Sequence, residues 1–402
     1  MKQQATNILD TVIPTEKCTG CQACRQICPY NAIDMIEDEE GFLHPVKNSN
    51  CVNCGACSKI CPVVNEVKRY HVLDESQVYL LRHKDDEVVK HSSSGGAFTA
   101  IVQAYYDKNC IIFGAAYEEN LKVVHNYIKD IKELRKFRKS KYVQSNVKDT
   151  YSEVKKFLLD RKKVIYSGTP CQIAGLKNYL AKDYENLLCI DLICHGVPSQ
   201  KVFDKYIEFL EKKYGCEIKE ISFRERTKKN DKWNSRNIAI LFNDGKKIIE
   251  DSITNRYLLG YHGRLFFRKS CGTCKFASIK RNSDITIADC WGIEKLFKDV
   301  DVHEGQSLVI INTEKGKKFF EKVKINQNVT PLSIEFAILS NAQFSSPTKF
   351  HKNRAMFYDN IDKIQFDKLI SKCLKSDLIK TKIKKIIPKS FKKLLKKLLR
   401  RK

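Results

Sequence analysis

From residue 78 onward the chain alternates short apolar runs with longer amphipathic ones. VYLLRHKDDEVVKHSSSGGAFTAIVQAYY predicts a strand, a loop, and a helix opening at Ser94–Gly96. CIIFGAAY and VVHNYI follow as a strand pair. KKVIYSGTPCQIAGLKNYL predicts a strand over Val164–Tyr166, a tight turn over Ser167–Pro170 and a helix from about Cys171. LLCIDLICHGVPSQKVFDKYIEFLEKKYG repeats that order, with its turn at His195–Pro198. Unbroken apolar strands, each followed by a helix, predict a parallel α/β core. RNIAILF-NDG-KKIIED predicts a hairpin turning at 243–245. DITIADCWG adds a strand, and SLVIINTEKGKKFFEKV a strand–helix unit.

The first 68 residues lack this pattern and are governed by cysteine spacing instead. Cys18-x2-Cys21-x2-Cys24-x3-Cys28-Pro29 recurs thirty-three positions later (51 − 18) as Cys51-x2-Cys54-x2-Cys57-x3-Cys61-Pro62. This is the ligand run of a two-cluster bacterial-type ferredoxin, in which the fourth Cys of each run serves the other cluster. One 4Fe–4S cube would take Cys18, Cys21, Cys24 and Cys61, the other Cys51, Cys54, Cys57 and Cys28. Gly20 and Gly55 keep bulk away from the ligands, and the closing proline ends each loop. Structural zinc is the competing use of CxxC pairs. Two interlocked runs of four fit it badly, and a disulfide framework fits a reducing compartment no better.

Length and composition narrow the class further. The 402 residues suffice for two or three domains, and 42% hydrophobic content supports a core. The opening MKQQATNILDTVIP lacks the apolar centre of a signal peptide. No stretch reaches the roughly 20 apolar residues of a membrane span. A cytoplasmic location is expected. Net charge is +26, but twelve Lys and Arg fall in residues 380–402, where no acid occurs. Within that tail Phe391, Leu394, Leu395, Leu398 and Leu399 share one helical face after Pro388. A basic amphipathic helix of this kind suits an anionic membrane surface, which would place the protein peripherally at the inner membrane. A docked or solvated terminal helix is the plainer alternative. Nucleic acid is not expected as a partner, because aromatics for base stacking are missing.

A second cysteine constellation lies beyond the ferredoxin-like unit. Cys171 and Cys194 sit at predicted strand ends, where ligands gather in open parallel sheets. The pair Cys271-x2-Cys274 could reach across to them. The four would hold a third 4Fe–4S cluster, or zinc, or be ordinary buried residues. Cys110, Cys189, Cys216 and Cys373 read as packing residues, and Cys290 stays ambiguous.

SSSGGAFTA (92–100), KYVQS (141–145), YSGTPCQIAGL (166–176), DLICHGVPS (191–199), SCGTCKF (270–276) and DITIADCWGI (284–293) together resemble the beta subunits of coenzyme F420-reducing hydrogenase and formate dehydrogenase. The resemblance spans about residues 15 to 320. It implies FAD in the α/β domain, an iron–sulfur relay leading to it, and a third cluster at Cys171, Cys194, Cys271 and Cys274. One departure stands out. Relatives often carry an aromatic residue after the Asp of the last motif, where this chain has Cys290.

In that light Ser92, Ser93, Ser94, Gly95 and Gly96 become the candidate flavin-phosphate loop, since a helix N-terminus attracts anions and glycine admits close approach. A simple N-cap is the alternative. Lys141 and Gln144 would contact the cofactor's phosphates or ring, or else lie on a solvated face. Thr169 and His195 flank cluster cysteines. His195 would supply a proton, or only orient its loop. Trp291 would stack near the flavin, or sit in the core.

The expected architecture is therefore an α+β ferredoxin-like two-cluster domain over 1–68, an α/β flavin-binding domain in two parts (69–155 and 156–345), and a basic amphipathic tail with a C-terminal helix over 346–402. The expected activity is oxidoreduction, relaying electrons between ferredoxin or another redox protein, three clusters, FAD and a hydride-accepting small-molecule substrate. The alternative is an electron-transfer subunit serving a separate catalytic partner. Relatives in bacterial surface-polysaccharide clusters make a sugar-related redox step its setting.

Overall fold

The cysteine runs build two matching one-turn helices, α1 (Ala23–Ile27) and α2 (Ala56–Ile60), in the computed structural model. It describes residues 15–70, 72–229, 232–300, 302–376 and 378. Each helix is entered through a left-handed residue, Gln22 or Gly55, and left through an extended cysteine, Cys28 or Cys61. Pro29 and Pro62 follow those cysteines, and proline cannot continue a helix. Between the helices lies an antiparallel pair, β1 (Ile33–Glu37) and β2 (Leu43–Lys47), in register Ile33↔Lys47.

The central sheet has eight strands among the described residues. They are β3 (Val72–Arg82), β4 (Cys110–Tyr117), β5 (Val123–Ile128), β6 (Lys163–Gly168), β7 (Leu187–Leu192), β11 (Ile285–Asp289), β12 (Ser307–Thr313) and β13 (Asn328–Leu332). The intervening numbers, β8 (Ile218–Lys229), β9 (Lys232–Phe242) and β10 (Lys247–Asp251), form a separate antiparallel sheet. Strand order in the large sheet is β13-β3-β12-β11-β7-β6-β4-β5.

β4, β6, β7 and β11 are parallel, as their continuous apolar runs predict. Their side chains alternate between two cores. Ile111, Phe113, Val164, Tyr166 and Leu187 face α5 (Thr150–Leu159) and α6 (Pro170–Leu180). Ile112, Ile165, Leu188 and Ile190 face the layer of α4 (Ala97–Tyr105) and α9 (Glu314–Asn326). This is the two-residue period of a strand buried on both sides. Short α3 (Asp86–Lys90), capped by Asp85, precedes α4.

Two expectations need correction. The strand–helix unit at 307–326 runs antiparallel to β11, not parallel. Among its described residues the segment between the two strands contains only 3-10 turns, and a parallel return needs a crossover, usually a helix. The second concerns residues 346–376, grouped with the basic tail. They fold into the body as α11 (Arg354–Tyr358) and α12 (Phe366–Cys373). Phe357, Phe366, Leu369 and Ile370 are buried there against α7 (Gln200–Tyr214), α8 (Arg256–His262) and the smaller sheet. α10 (Ile334–Ser340) follows β13. The hairpin expected at 243–245 is present, pairing Leu241 with Lys247. The amphipathic helix expected after Pro388 lies outside the described residues. Among the described residues no helix is long and apolar enough to cross a membrane.

The carboxyl ends of β6, β7 and β11 point to one edge of the sheet. The antiparallel pairing Ser307↔Leu81 brings the end of β3 to the same edge. In open α/β sheets that edge is where ligands bind.

Candidate functional site

Twelve of the cysteines fall into three groups that follow one another in series. Cys21 stands within electrostatic reach of Cys61, Cys18 and Cys171, and Cys24 within reach of Cys21, Cys18, Cys61 and Cys57. Cys61 therefore stands with the first run, in the crossed arrangement that the spacing predicts. Cys57 neighbours Cys51, and Cys28 packs against the cluster of Cys24, Ile33 and Cys57. Burial, chiefly, raises the thiols of Cys21, Cys24, Cys57 and Cys61. Cys18 is the exception: against the same desolvation, a hydrogen bond from His44 and the charge of Arg268 lower it. The second group is the outermost. Cys54 is exposed, Cys51 and Cys28 are half-buried, and Val52 beside them is 58% exposed.

α6 lets the first group approach the sheet domain. A Cβ on Gly175 would lie 3.1 Å from Cys21 Sγ and 3.1 Å from the Tyr151 hydroxyl. A glycine inside a helix costs about 1 kcal/mol against alanine, and here its bare backbone makes room for the cysteine loop. Gln26 Oε1 accepts from the N–H groups of Tyr151 and Ser152, and Arg25 pairs with Asp149 at 2.7 Å.

Cys171, Cys194, Cys271 and Cys274 line one small cavity, so residues separated by up to 103 positions (274 − 171) converge. Cys171 comes from the first turn of α6, Cys194 from the loop after β7, and the other two from the 3-10 turn at Lys269–Thr273 and its end. Burial followed by Cys274 raises Cys171 to about 11, and burial followed by Cys274 raises Cys271 to about 12. Four half-buried thiols set close together suit a cation able to take them as thiolates. The donor set fits an iron–sulfur cluster. Among the described residues, no three Cys, His, Asp or Glu side chains gather as on a single ion. Thr169, the N-cap of α6, places its hydroxyl 3.2 Å from Cys171 Sγ.

A cleft of about 560 Å³ opens beside this cavity, within the usual range of cofactor sites. Thr169, Cys194, Gly196 and Val197 line both. Ser92, Ser93, Ser94, Gly96, Lys141, Gln144 and His195 also line the cleft. Gly95 does not. Its missing Cβ would lie 2.3 Å from Leu81 O, so this glycine serves tight packing against β3 rather than a ligand.

The serine hydroxyls are already engaged. Ser92 donates to Val88 O (2.7 Å), Ser94 to Gln306 O (2.5 Å), and Ser93 meets the Ser140 hydroxyl at 3.1 Å. What this loop offers a ligand is backbone and the N-terminus of α4, which begins after left-handed Gly96. Lys141 Nζ donates to Lys136 O and Arg138 O. Burial, then Lys139, lowers its ammonium to about 7. Gln144 points its amide elsewhere: Nε2 donates to Thr19 O at 2.8 Å, and Oε1 accepts from Arg268 at 3.1 Å. Desolvation lowers His195, with Arg264 and Arg224 acting against the pull of Asp289, so its ring is neutral near pH 7. Trp291 lies on the cleft wall rather than in the core, with Arg236 and Arg224 over its ring at 4.7 and 5.4 Å.

Several cleft residues escaped the sequence reading. Arg224, from β8, binds Ser93 O (2.8 Å) and Asp289 Oδ1 (2.9 Å). Its neighbour Arg226 binds Ser94 O at 2.8 Å, with Ser92 O and His303 O. His125 bridges Ser145 Oγ and Ser167 O, and burial lowers it to about 4. Thr99 Oγ1 and Arg138 Nε are buried without a protein partner among the described residues. A cleft with unpaired donors, a basic wall and a free helix N-terminus fits a diphosphate-bearing cofactor.

A family model for the C-terminal part of the coenzyme F420 hydrogenase/dehydrogenase beta subunit matches residues 161–335, and one for a 4Fe-4S dicluster domain matches residues 11–68. Residues 161–335 carry the C-terminal domain of this beta-subunit family. The chain is related to iron–sulfur electron-transfer subunits of oxidoreductases. No curated protein matches it. Among solved structures it is similar to a chain of the F420-reducing NiFe hydrogenase complex from Methanosarcina barkeri, studied by xenon derivatization. Identity is 15%, coverage 78% of this chain and 93% of that one, and the TM-score 0.42. All three cysteine groups and the cleft lie within one folded chain.

Proposed function

We propose that this chain conducts electrons through three 4Fe–4S clusters to an FAD in the cleft and exchanges them there with a small-molecule substrate. Cys18, Cys21, Cys24 and Cys61 would hold one cluster, Cys28, Cys51, Cys54 and Cys57 the second, and Cys171, Cys194, Cys271 and Cys274 the third. When bound, the clusters supply one-electron transfer and the flavin a two-electron store. The protein's residues bind and orient. The N-terminus of α4, Lys141 and Arg138 attract the cofactor's phosphates. Trp291, with its two arginines, offers a flat face to an aromatic ring. His195, whose pKa burial lowers first of all, can accept a proton at the cleft wall and then hand the same proton back. Exposed Cys54 and Val52 mark where a ferredoxin or other redox protein would meet the second group.

The observation that carries this reading is the shared wall. Cys194 belongs both to the third cysteine group and to the cleft. A subunit serving only an outside catalytic partner would not need its innermost thiols beside so large a cavity. The test is anaerobic isolation and reconstitution, with assays of iron, sulfide and flavin, followed by spectra with candidate substrates. Retained FAD that bleaches with reduced donor supports the proposal. A preparation with full clusters that binds no FAD removes it.

A further inference from the structure

Arg268 is 2% exposed. Its guanidinium donates to Cys18 O at 2.7 Å, Leu43 O at 3.0 Å and Gln144 Oε1 at 3.1 Å, and lies 3.3 Å from the His44 ring. None of these partners is a carboxylate. Asp38 stands one step back, 3.1 Å from His44 Nε2, the ring nitrogen nearest Arg268. Glycine at position 20 admits the side chain, since a Cβ there would lie 2.8 Å from Arg268 Nη1. On its other side Arg268 lines the cavity of the third cysteine group, and its carbonyl accepts the Cys271 N–H at 2.9 Å. The residue thus lies between the first and third groups, whose Cys21 and Cys171 stand within electrostatic reach of each other.

A buried cation without a directly paired acid is costly unless something anionic compensates it. Four thiolates around an iron–sulfur cube give a net negative charge that grows by one on reduction. A fixed cation nearby favours the reduced form, and net charge is one of the levers that set cluster potentials. We propose that Arg268 is a positioning residue that serves as shared counter-cation to the first and third clusters, raising both reduction potentials and easing transfer between them. The inference rests on the cluster assignment above. When an electron leaves one cluster and arrives on the other, the negative charge stays beside the same guanidinium. The step therefore costs little in its field.

The experiment is an EPR-monitored redox titration of the reconstituted full chain, with cluster signals assigned by their loss in Cys24→Ser and Cys194→Ser. In Arg268→Gln, both inner clusters should move to more negative potentials. At a fixed poise the reduced-to-oxidised ratio of each should fall about tenfold, some 59 mV for one electron. The outer cluster at Cys51, Cys54 and Cys57 should move far less. Arg268→Lys keeps the charge but loses the fork of donors, and should restore most of the shift. Unchanged inner potentials in Arg268→Gln, an equal shift in all three clusters, or a lysine variant that behaves like glutamine would overturn the proposal. If Arg268→Gln fails to retain clusters, the lysine variant decides: wild-type potentials support the charge role, and shifted ones refute it. A wild-type chain without iron and sulfide would sink the cluster assignment itself, which is a different failure.

Discussion

Gly175 shows how one missing side chain joins two parts of this protein. Any Cβ there would press on Cys21 and on the Tyr151 hydroxyl. Gly175→Val should therefore displace the first cysteine loop, and iron per chain should fall while the far-ultraviolet spectrum stays close to wild type. Lys141 gives a prediction in pH. Its ammonium is lowered to about 7 by burial first, so the free cleft loses this charge as pH rises through that value. A bound diphosphate would favour the charged form, and binding would then take up a proton. FAD affinity should weaken from about pH 6 to about pH 9, and Lys141→Met should flatten that slope. At this scale the sequence was informative where ligands are contiguous, as in the two CxxCxxC runs. It was silent on Arg268 and on the contacts that hold the Gln144 amide. Their partners, Cys18 and Thr19, lie 250 and 125 positions away, and no local pattern encodes such a contact.

At the scale of elements, the serine loop depends on a strand that contributes no ligand motif. Arg224 and Arg226, on β8, hold the carbonyls of Ser92, Ser93 and Ser94. This fixes the approach to the N-terminus of α4. Arg226→Gln should weaken FAD binding about tenfold, as loss of one charge-assisted bond would. Iron and sulfide content should be unchanged, and fluorescence titration with FAD reads the difference. The parallel strands were legible because each is buried on both faces and reads as an unbroken apolar run. The polarity of β12 was not, since it depends on how the chain returns after β11. The β8–β9 hairpin was hidden by its charged residues: Arg224 and Arg226 point from a strand into buried surroundings that only the tertiary structure supplies.

Across the whole molecule, the cysteine-rich domain is fastened to the sheet domain by polar contacts at several points. Glu40 forms a two-pronged pair with Arg354 in a mostly buried setting. Ser199 and Lys201 donate to the carbonyls of Glu40 and Glu39. Arg354→Met would leave the Glu40 carboxylate partly buried with only Lys269 near it, a loss of about 3 kcal/mol. A lower Tm, with cleft binding retained, is the expected result. The basic residues 380–402 give a separate test. Their deletion should abolish sedimentation with anionic liposomes, and unchanged sedimentation would reject a membrane role for the tail.

The account rests most heavily on the third cysteine group lying between the ferredoxin-like pair and the cleft. Iron and acid-labile sulfide counted per anaerobically prepared chain test that most directly. Wild type should contain about twelve of each, four for every cluster, and the Cys171→Ser, Cys194→Ser double variant about eight. About eight in both proteins, or zinc in place of iron, would contradict it.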